Sequence, residues 1–151
     1  MTPLRILFVS TGNACRSQMA EGWVRHFAPE GVIARSAGTE PRHLHPLATR
    51  AMQEAGVDIG HQRGKGVDAV RHERFDLVVT LCETAAAACP PLPLAKAALH
   101  RPFDDPALLE SDDDADLEAY RALRDELRAF VWELLLERDA AGPGPGARGT
   151  T

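Results

Sequence analysis

The chain has 151 residues, of which 44% are hydrophobic and 26% are charged, so it is long and apolar enough for one globular domain with a buried core. A net charge of −5 and short, interrupted basic clusters disfavour general nucleic-acid binding. No window approaches the roughly 20 apolar residues that cross a bilayer, and the N-terminus lacks a secretory signal pattern. We therefore expect a cytoplasmic protein that binds neither nucleic acid nor membrane.

The first half of the chain alternates between predicted strands and helices. An apolar strand over residues 4–9 leads into a polar loop, and apolar residues at helical spacing predict a helix over 17–28. A second strand is predicted over 32–37. Pro46 opens the next helix, which runs to residue 55 before a glycine ends it.

The second half continues this alternation. A dense apolar run over 75–81 is typical of a strand buried in a parallel sheet, and a weaker strand is predicted over 99–103. The last helix has a broad apolar stripe from Leu117 to Leu135. The acidic run at 112–114 precedes it and suits the positive end of its dipole.

These elements predict one α/β domain over residues 1–139. Strands that alternate with helices favour a three-layer sandwich with a parallel sheet and right-handed crossovers. From residue 140 to 151 the chain is rich in glycine and proline, which predicts a disordered tail.

The polar loop over residues 10–17 has the features of an oxyanion site. It joins a strand to a helix, so the backbone N–H groups of residues 11–16 and the helix N-terminus would converge on one anion. Gly12 and Asn13 tolerate the left-handed backbone angles that such a loop requires. Arg16 adds a planar cation that binds two oxygens at once. The predicted oxyanion ligands are Thr11, Gly12, Asn13, Ala14, Cys15 and Arg16.

Four segments in register resemble a known family. The loop resembles the Cys-(any five)-Arg-Ser loop of low-molecular-weight protein tyrosine phosphatases. Residues 18–23, residues 77–82 with the later Cys89-Pro90 pair, and residues 103–107 resemble the thioredoxin-coupled arsenate reductases of that superfamily. The resemblance covers residues 4 to 138. It implies a four-stranded sheet in the order 2-1-3-4 and reduction of arsenate to arsenite by a monomer that thioredoxin recycles, without metal or organic cofactor.

Ser10 departs from the family at the nucleophile position. The family has a cysteine there, and the resemblance implies that loop amides and the hydroxyl of Ser17 lower the pKa of its thiol. A serine hydroxyl without a nearby base cannot replace this thiolate, and its ester would not pass two electrons to arsenic. We expect the Ser10 form to be inactive or strongly impaired. An engineered substitution and a natural inactive relative both fit this residue.

Cys82 and Cys89 distinguish a reductase from a phosphatase. Seven helical positions place their Cα atoms about 10 Å apart, whereas a disulfide needs at most about 7 Å. The pair can bond only if the segment unwinds. By resemblance, Cys82 attacks the arsenic-bearing residue at position 10, and Cys89 then attacks Cys82 and passes the disulfide to thioredoxin. The alternative is that both are small buried hydrophobic residues. Cys15 is interpreted as a packing residue.

Asp105 is the candidate general acid. It precedes Pro106, which holds the chain extended, and the matching Asp of the family protonates the leaving oxygen. Asp104, which precedes it, is interpreted as a structural residue. Ala107, Leu108 and Leu109 stand where tyrosine phosphatases commonly have tyrosines that stack on the substrate. A low-molecular-weight phosphatase therefore remains the second interpretation, and a binding module for oxyanions such as phosphate or sulfate remains the third.

A last group of residues concerns a cation near the loop. Asn13, Glu21 and Ser36 match positions that surround potassium in some members of the family, and those members have Asp where this chain has Lys65. We expect the Lys65 ammonium to occupy the space of the ion. The alternative is an ordinary surface lysine. Cys82 and Cys89 lack the close Cys or His partners of a zinc site, so no metal is predicted.

Overall fold

The computed structural model describes residues 3–27, 30–106 and 114–138. Strands and helices alternate along the chain. The elements are β1 (Leu4–Ser10), α1 (Arg16–Phe27), β2 (Val32–Gly38), α2 (Pro46–Glu54), a short 3-10 helix (Val67–Ala69), β3 (Leu77–Thr80), α3 (Glu83–Ala88), β4 (Ala98–His100) and α4 (Asp114–Glu137). None of the helices in these ranges is long and apolar enough to cross a membrane.

The four strands form one parallel sheet in the order β2-β1-β3-β4, which confirms the predicted α/β class and strand order. The central strand β1 pairs with β2 along its whole length, from Leu4 opposite Val32 to Ser10 opposite Gly38. Its other edge pairs with β3. Because β1 is central, the loop that follows it lies at the middle of the carboxyl edge of the sheet, where ligands of open α/β folds bind.

Each face of the sheet is covered by its own core. Ile6 and Phe8 of β1 belong to a large cluster with α1, α2 and α4, whereas Leu7 and Val9 belong to a smaller cluster with the 3-10 helix and α3. This division follows from the alternation of side chains along a strand. The predicted three-layer arrangement is confirmed. The helix α3 between Cys82 and Cys89 packs on the smaller core through few side chains. Ala85 is its only fully buried residue.

Several predicted boundaries were too wide. The strand expected over 75–81 is β3, only Leu77–Thr80, because Phe75 pairs with Ala95 in an isolated bridge rather than in the ladder. The strand expected over 99–103 is β4, Ala98–His100, although Phe103 N still donates to Leu81 O at 2.9 Å. The predictions for residues 107–109, for Asp112 and Asp113, and for the tail over 140–151 fall outside the described residues.

Candidate oxyanion site

The loop between β1 and α1 turns on one left-handed residue, Asn13, with φ of 49°. The expectation that Gly12 also adopts this conformation was wrong, since its φ does not lie in the positive region. Asn13 suffices because its side chain fixes the turn. Its Nδ2 donates to Ser17 Oγ at 2.7 Å, and its Oδ1 accepts from the backbone N of Lys65 at 2.9 Å and from Gln18 Nε2 at 3.1 Å.

The carbonyl groups of the loop point outward, away from the anion site. The carbonyls of Ser10, Thr11, Gly12 and Ala14 accept hydrogen bonds of 2.8–3.2 Å from backbone N–H groups of the segment 39–45. Among the described residues, no carbonyl or side chain accepts a hydrogen bond from the backbone N–H groups of residues 11–15. These N–H groups are therefore available to an anion, and the binding of an oxyanion by them stays a prediction.

Arg16 is buried at the start of α1, with 6% of its surface exposed. Its Nη1 donates to Phe103 O at 3.2 Å and its Nη2 lies 3.1 Å from Asp105 Oδ2. Its buried Nε has no hydrogen-bond partner within the described part of the chain. A buried donor without a partner costs about 1–3 kcal/mol, so this N–H group favours an anionic ligand in the cavity beside it.

A cavity of about 610 Å³ lies over the loop and brings most of the predicted site residues together. Its walls come from the oxyanion loop, the start of α3 and the segment before Pro106. The residues from those three parts are Ser10, Thr11, Gly12, Ala14, Cys15, Arg16, Cys82, Glu83, Thr84, Pro102, Phe103, Asp104 and Asp105. Arg42 completes the lining. Cys89 instead lines a second cavity beside β4.

Cys82 and Cys89, the cysteines of the predicted relay, lie at the two ends of the six-residue helix α3, with Cys82 at its N-cap and Cys89 at its C-cap. Cys82 is 7% exposed, and its Sγ lies 3.2 Å from the hydroxyl oxygen of Thr11. Cys89 is half-buried, and burial raises the pKa of its thiol. Both thiols are free, as is Cys15. The segment is helical, as expected, so a bond between its ends requires the helix to open.

Cys15 contacts the candidate general acid. It is 4% exposed, and its Sγ donates to Asp105 Oδ1 at 3.4 Å. Burial, reinforced by the negative charge of Asp105, raises the pKa of the Cys15 thiol to about 12. At neutral pH the thiol is therefore protonated. Sequence reasoning treated Cys15 as packing and missed this contact, because the two residues lie 90 positions apart.

The residues matched to a potassium site lie together around a buried carboxylate. Glu21, with 3% of its side chain exposed, accepts a hydrogen bond from Ser36 Oγ and pairs with Arg25 and, at 3.9 Å, with Lys65 Nζ. Lys65 Nζ also lies 3.4 Å from Ser36 Oγ, and burial lowers the pKa of its ammonium. Two cations thus already face Glu21, which favours Lys65 as the replacement for a potassium ion; that replacement stays a prediction.

Two further features of the site carry no signal in the sequence. His100 Nδ1 lies 2.8 Å from Thr80 Oγ1, and its Nε2 lies 3.5 Å from Glu83 at the start of α3. Arg42 reaches the cavity from the segment between β2 and α2. Both depend on where loops cross the edge of the sheet, which residue spacing does not encode.

Comparison with known proteins agrees with this geometry. The chain is 43% identical to an arsenate reductase of Halalkalibacterium halodurans over 122 residues, which are 81% of this chain and 88% of that protein. The solved arsenate reductase of Archaeoglobus fulgidus superposes with a TM-score of 0.70 at 30% identity, covering 86% of this chain and 98% of that chain.

A second solved relative, the thioredoxin-dependent arsenate reductase of Corynebacterium glutamicum, superposes with a TM-score of 0.67 at 27% identity. The match covers 90% of this chain and 62% of that chain. The sequence profile of the low molecular weight phosphotyrosine protein phosphatases matches residues 5–139. With the oxyanion loop and the cysteine pair, these findings show that the chain belongs to the low molecular weight phosphotyrosine protein phosphatase family.

Proposed function

We propose that this chain is an arsenate reductase of the thioredoxin-coupled type in which serine replaces the first cysteine of the relay. The observation that carries the proposal is the position of Cys82, which lines the oxyanion cavity at one end of a short helix whose other end is Cys89. A phosphatase needs the loop and Asp105 but has no use for this pair. The relatives named arsenate reductases support the same conclusion.

The proposed reaction needs a thiol at position 10. Such a thiol would attack arsenate to form an S–As bond with loss of water, and Cys82 would then attack that sulfur. The S–As electron pair would leave with arsenic as arsenite, and a disulfide to Cys82 would form. The Cys89 thiol would then attack Cys82, which releases the thiol at position 10 and forms a Cys82–Cys89 disulfide. Two electrons from reduced thioredoxin would restore the thiols of Cys82 and Cys89.

Arg16 and Asp105 have complementary tasks in this scheme. An arriving oxyanion competes with Asp105 for Arg16, which now lies 3.1 Å away. Asp105 then lies beside the anion as the candidate donor of the proton that the leaving oxygen requires. We propose that Ser10 permits the binding step and blocks the covalent one. We further propose that the protein acts as a cytoplasmic monomer, in a compartment that keeps its three thiols reduced.

The decisive experiment is to restore the thiol with Ser10→Cys and to follow oxidation of reduced thioredoxin that depends on arsenate. We expect turnover by this variant and little or none by the Ser10 chain. The matched control combines Ser10→Cys with Cys89→Ser, which should release arsenite once and then stop. Turnover by the Ser10 chain at a rate close to that of the Ser10→Cys variant would contradict the proposal.

One observation favours a binding module as the second candidate. Ser10 and Ser17 are both fully buried and their hydroxyls are 2.6 Å apart, so the loop is well packed without a thiol. Phosphate or sulfate binding by the unaltered chain, combined with no thioredoxin oxidation by Ser10→Cys, would favour this candidate over the reductase.

A further inference from the structure

We propose that Arg42 is a second anion-binding residue, which captures a tetrahedral dianion at the mouth of the cavity before the loop and Arg16 hold it. The inference rests on the proposed function, because it takes the loop as the oxyanion site. It assigns a task to a residue that the relay described above does not use.

The backbone of Arg42 packs between the oxyanion loop and Gly64. Its N–H group donates to Gly12 O at 2.8 Å. On the other side its carbonyl approaches Gly64 so closely that a Cβ there would meet Arg42 O at 1.7 Å. Only glycine fits at position 64, so the segment holds residue 42 at a fixed place beside the oxyanion loop.

The side chain of Arg42 extends from this anchor over Gly12. Its Cδ and Cγ lie 3.4 Å and 3.7 Å from the place where a Cβ on Gly12 would be. The aliphatic part of the side chain therefore lies close to Gly12. The side chain then reaches the lining of the 610 Å³ cavity. A five-atom oxyanion is much smaller than this volume, and Arg42 is an exposed residue of the lining, so we infer that its guanidinium meets the anion first.

No carboxylate among the described residues pairs with this guanidinium. Within the described ranges, Arg42 has no side-chain hydrogen bond or ion pair. Six other arginines do pair with carboxylates, and these are Arg5, Arg25, Arg35, Arg71, Arg121 and Arg124. A guanidinium that lies beside an anion site and has no internal partner can bind an anion without first breaking an ion pair.

The charges of the cavity explain why a second cation is useful. Asp105 already pairs with Arg16, and Glu83 and Asp104 add two more negative charges to the lining. These groups repel a dianion that approaches the loop. Arg42 is the cation that offsets them at the mouth, where it raises both the rate of capture and the affinity.

The test is calorimetric titration of the full chain with sulfate at low and at high ionic strength. We expect Arg42→Ala to raise the dissociation constant about tenfold at low ionic strength, as for loss of one exposed charge-assisted hydrogen bond. The difference should shrink at high salt, because screening weakens exposed charges most. Arg42→Lys, which keeps the charge, should recover much of the affinity.

The matched control is Arg50→Ala, which removes an exposed arginine of α2 that does not line the cavity. It should leave sulfate affinity unchanged. Because the structural contacts of residue 42 come from its backbone, Arg42→Ala should fold. Arg42→Gln, which removes the charge but keeps the aliphatic part of the side chain beside Gly12, should raise the dissociation constant as Arg42→Ala does. Equal effects of Arg42→Ala and Arg50→Ala would overturn the inference.

Arg16→Ala separates this inference from the proposed function. If Arg16→Ala abolishes sulfate binding while Arg42→Ala changes neither affinity nor its salt dependence, the inference fails and the site stands. If Arg16→Ala binds sulfate as tightly as the unaltered chain, the loop is not the site and the proposed function fails. Loss of binding in Arg16→Ala with a salt-sensitive tenfold loss in Arg42→Ala supports both.

Discussion

Ser10 Oγ lies 2.6 Å from Ser17 Oγ, and both residues are fully buried, the first at the start of the oxyanion loop and the second in the first turn of α1. Asn13 Nδ2 already donates to Ser17 Oγ at 2.7 Å, so the Ser17 hydroxyl can direct its own proton to position 10. This arrangement stabilises an anion at position 10, which suits a thiolate. It supplies no base that would activate a serine hydroxyl, which explains why we expect Ser10 to be a poor nucleophile.

The left-handed turn at Asn13 should make this residue important for stability. Asn13→Ala removes three side-chain hydrogen bonds and places alanine at φ of 49°, so we expect a loss of about 2–4 kcal/mol in the free energy of unfolding. Asn13→Gly loses the same bonds without the backbone strain and should cost about 1 kcal/mol less. Urea denaturation measures both. Equal losses in the two variants would show that strain plays no part.

The buried thiol of Cys15 should make stability depend on pH in the alkaline range. Its pKa rises from 9.0 to about 12 on folding, so between these values the folded state binds more protons than the unfolded state. The free energy of unfolding therefore falls as pH increases from about 9, by up to about 1.4 kcal/mol per pH unit from this group.

Cys15→Ala should flatten that alkaline fall, and urea denaturation at several pH values between 8 and about 11 would detect the change. Cys89→Ala is the matched control, because Cys89 is less buried and its removal should flatten the curve less. Identical pH slopes in the unaltered chain and in Cys15→Ala would contradict the assignment of the slope to this thiol.

The ammonium of Lys65 should make the protein indifferent to potassium. Because Lys65 and Arg25 already face Glu21, activity of the Ser10→Cys variant should be similar in sodium and potassium at equal ionic strength. Adding Lys65→Asp removes one cation and supplies a carboxylate, so this double variant should prefer potassium. Initial rates of thioredoxin oxidation in the two salts are the measurement. Marked potassium activation with Lys65 in place would count against the prediction.

Oxidation should loosen the segment between Cys82 and Cys89. In the reduced protein, backbone N–H groups of Ala86 and Cys89 donate to Cys82 O and Ala85 O at 3.0 Å and 2.9 Å. A disulfide between the two ends must break bonds of this kind, each worth a net ~1 kcal/mol. Pro90 cannot continue a helix, so the opening should stay within the segment.

Peptide mapping after chemical oxidation should find Cys82 joined to Cys89, and amide exchange across residues 83–88 should be faster than in the reduced protein. The matched control is Cys89→Ser, in which oxidant treatment should leave exchange in this segment unchanged. A disulfide from Cys82 to Cys15, or unchanged exchange in protein confirmed to carry the Cys82–Cys89 bond, would refute the opening of α3.

The fold class, the candidate oxyanion loop and the helical spacing of Cys82 and Cys89 could all be predicted from the residues alone. These features rest on local patterns: the apolar periodicity of strands and helices and the residues that open and close them. Side chains of a strand point alternately to its two faces, and residues 6 to 9 are all apolar. This pattern implies a strand that is buried on both faces. The boundaries were less certain, because the length of a ladder depends on its partner strand.

The way in which distant residues combine at the site could not be predicted and is seen in the folded chain. The Thr11 hydroxyl meets Cys82, Cys15 meets Asp105, and the Lys65 ammonium lies over Glu21, although each pair is separated by 44 or more positions. No local pattern encodes such contacts, because they follow from the paths of loops across the carboxyl edge of the sheet. The steric requirement at Gly64, which fixes Arg42 beside Gly12, arises in the same way.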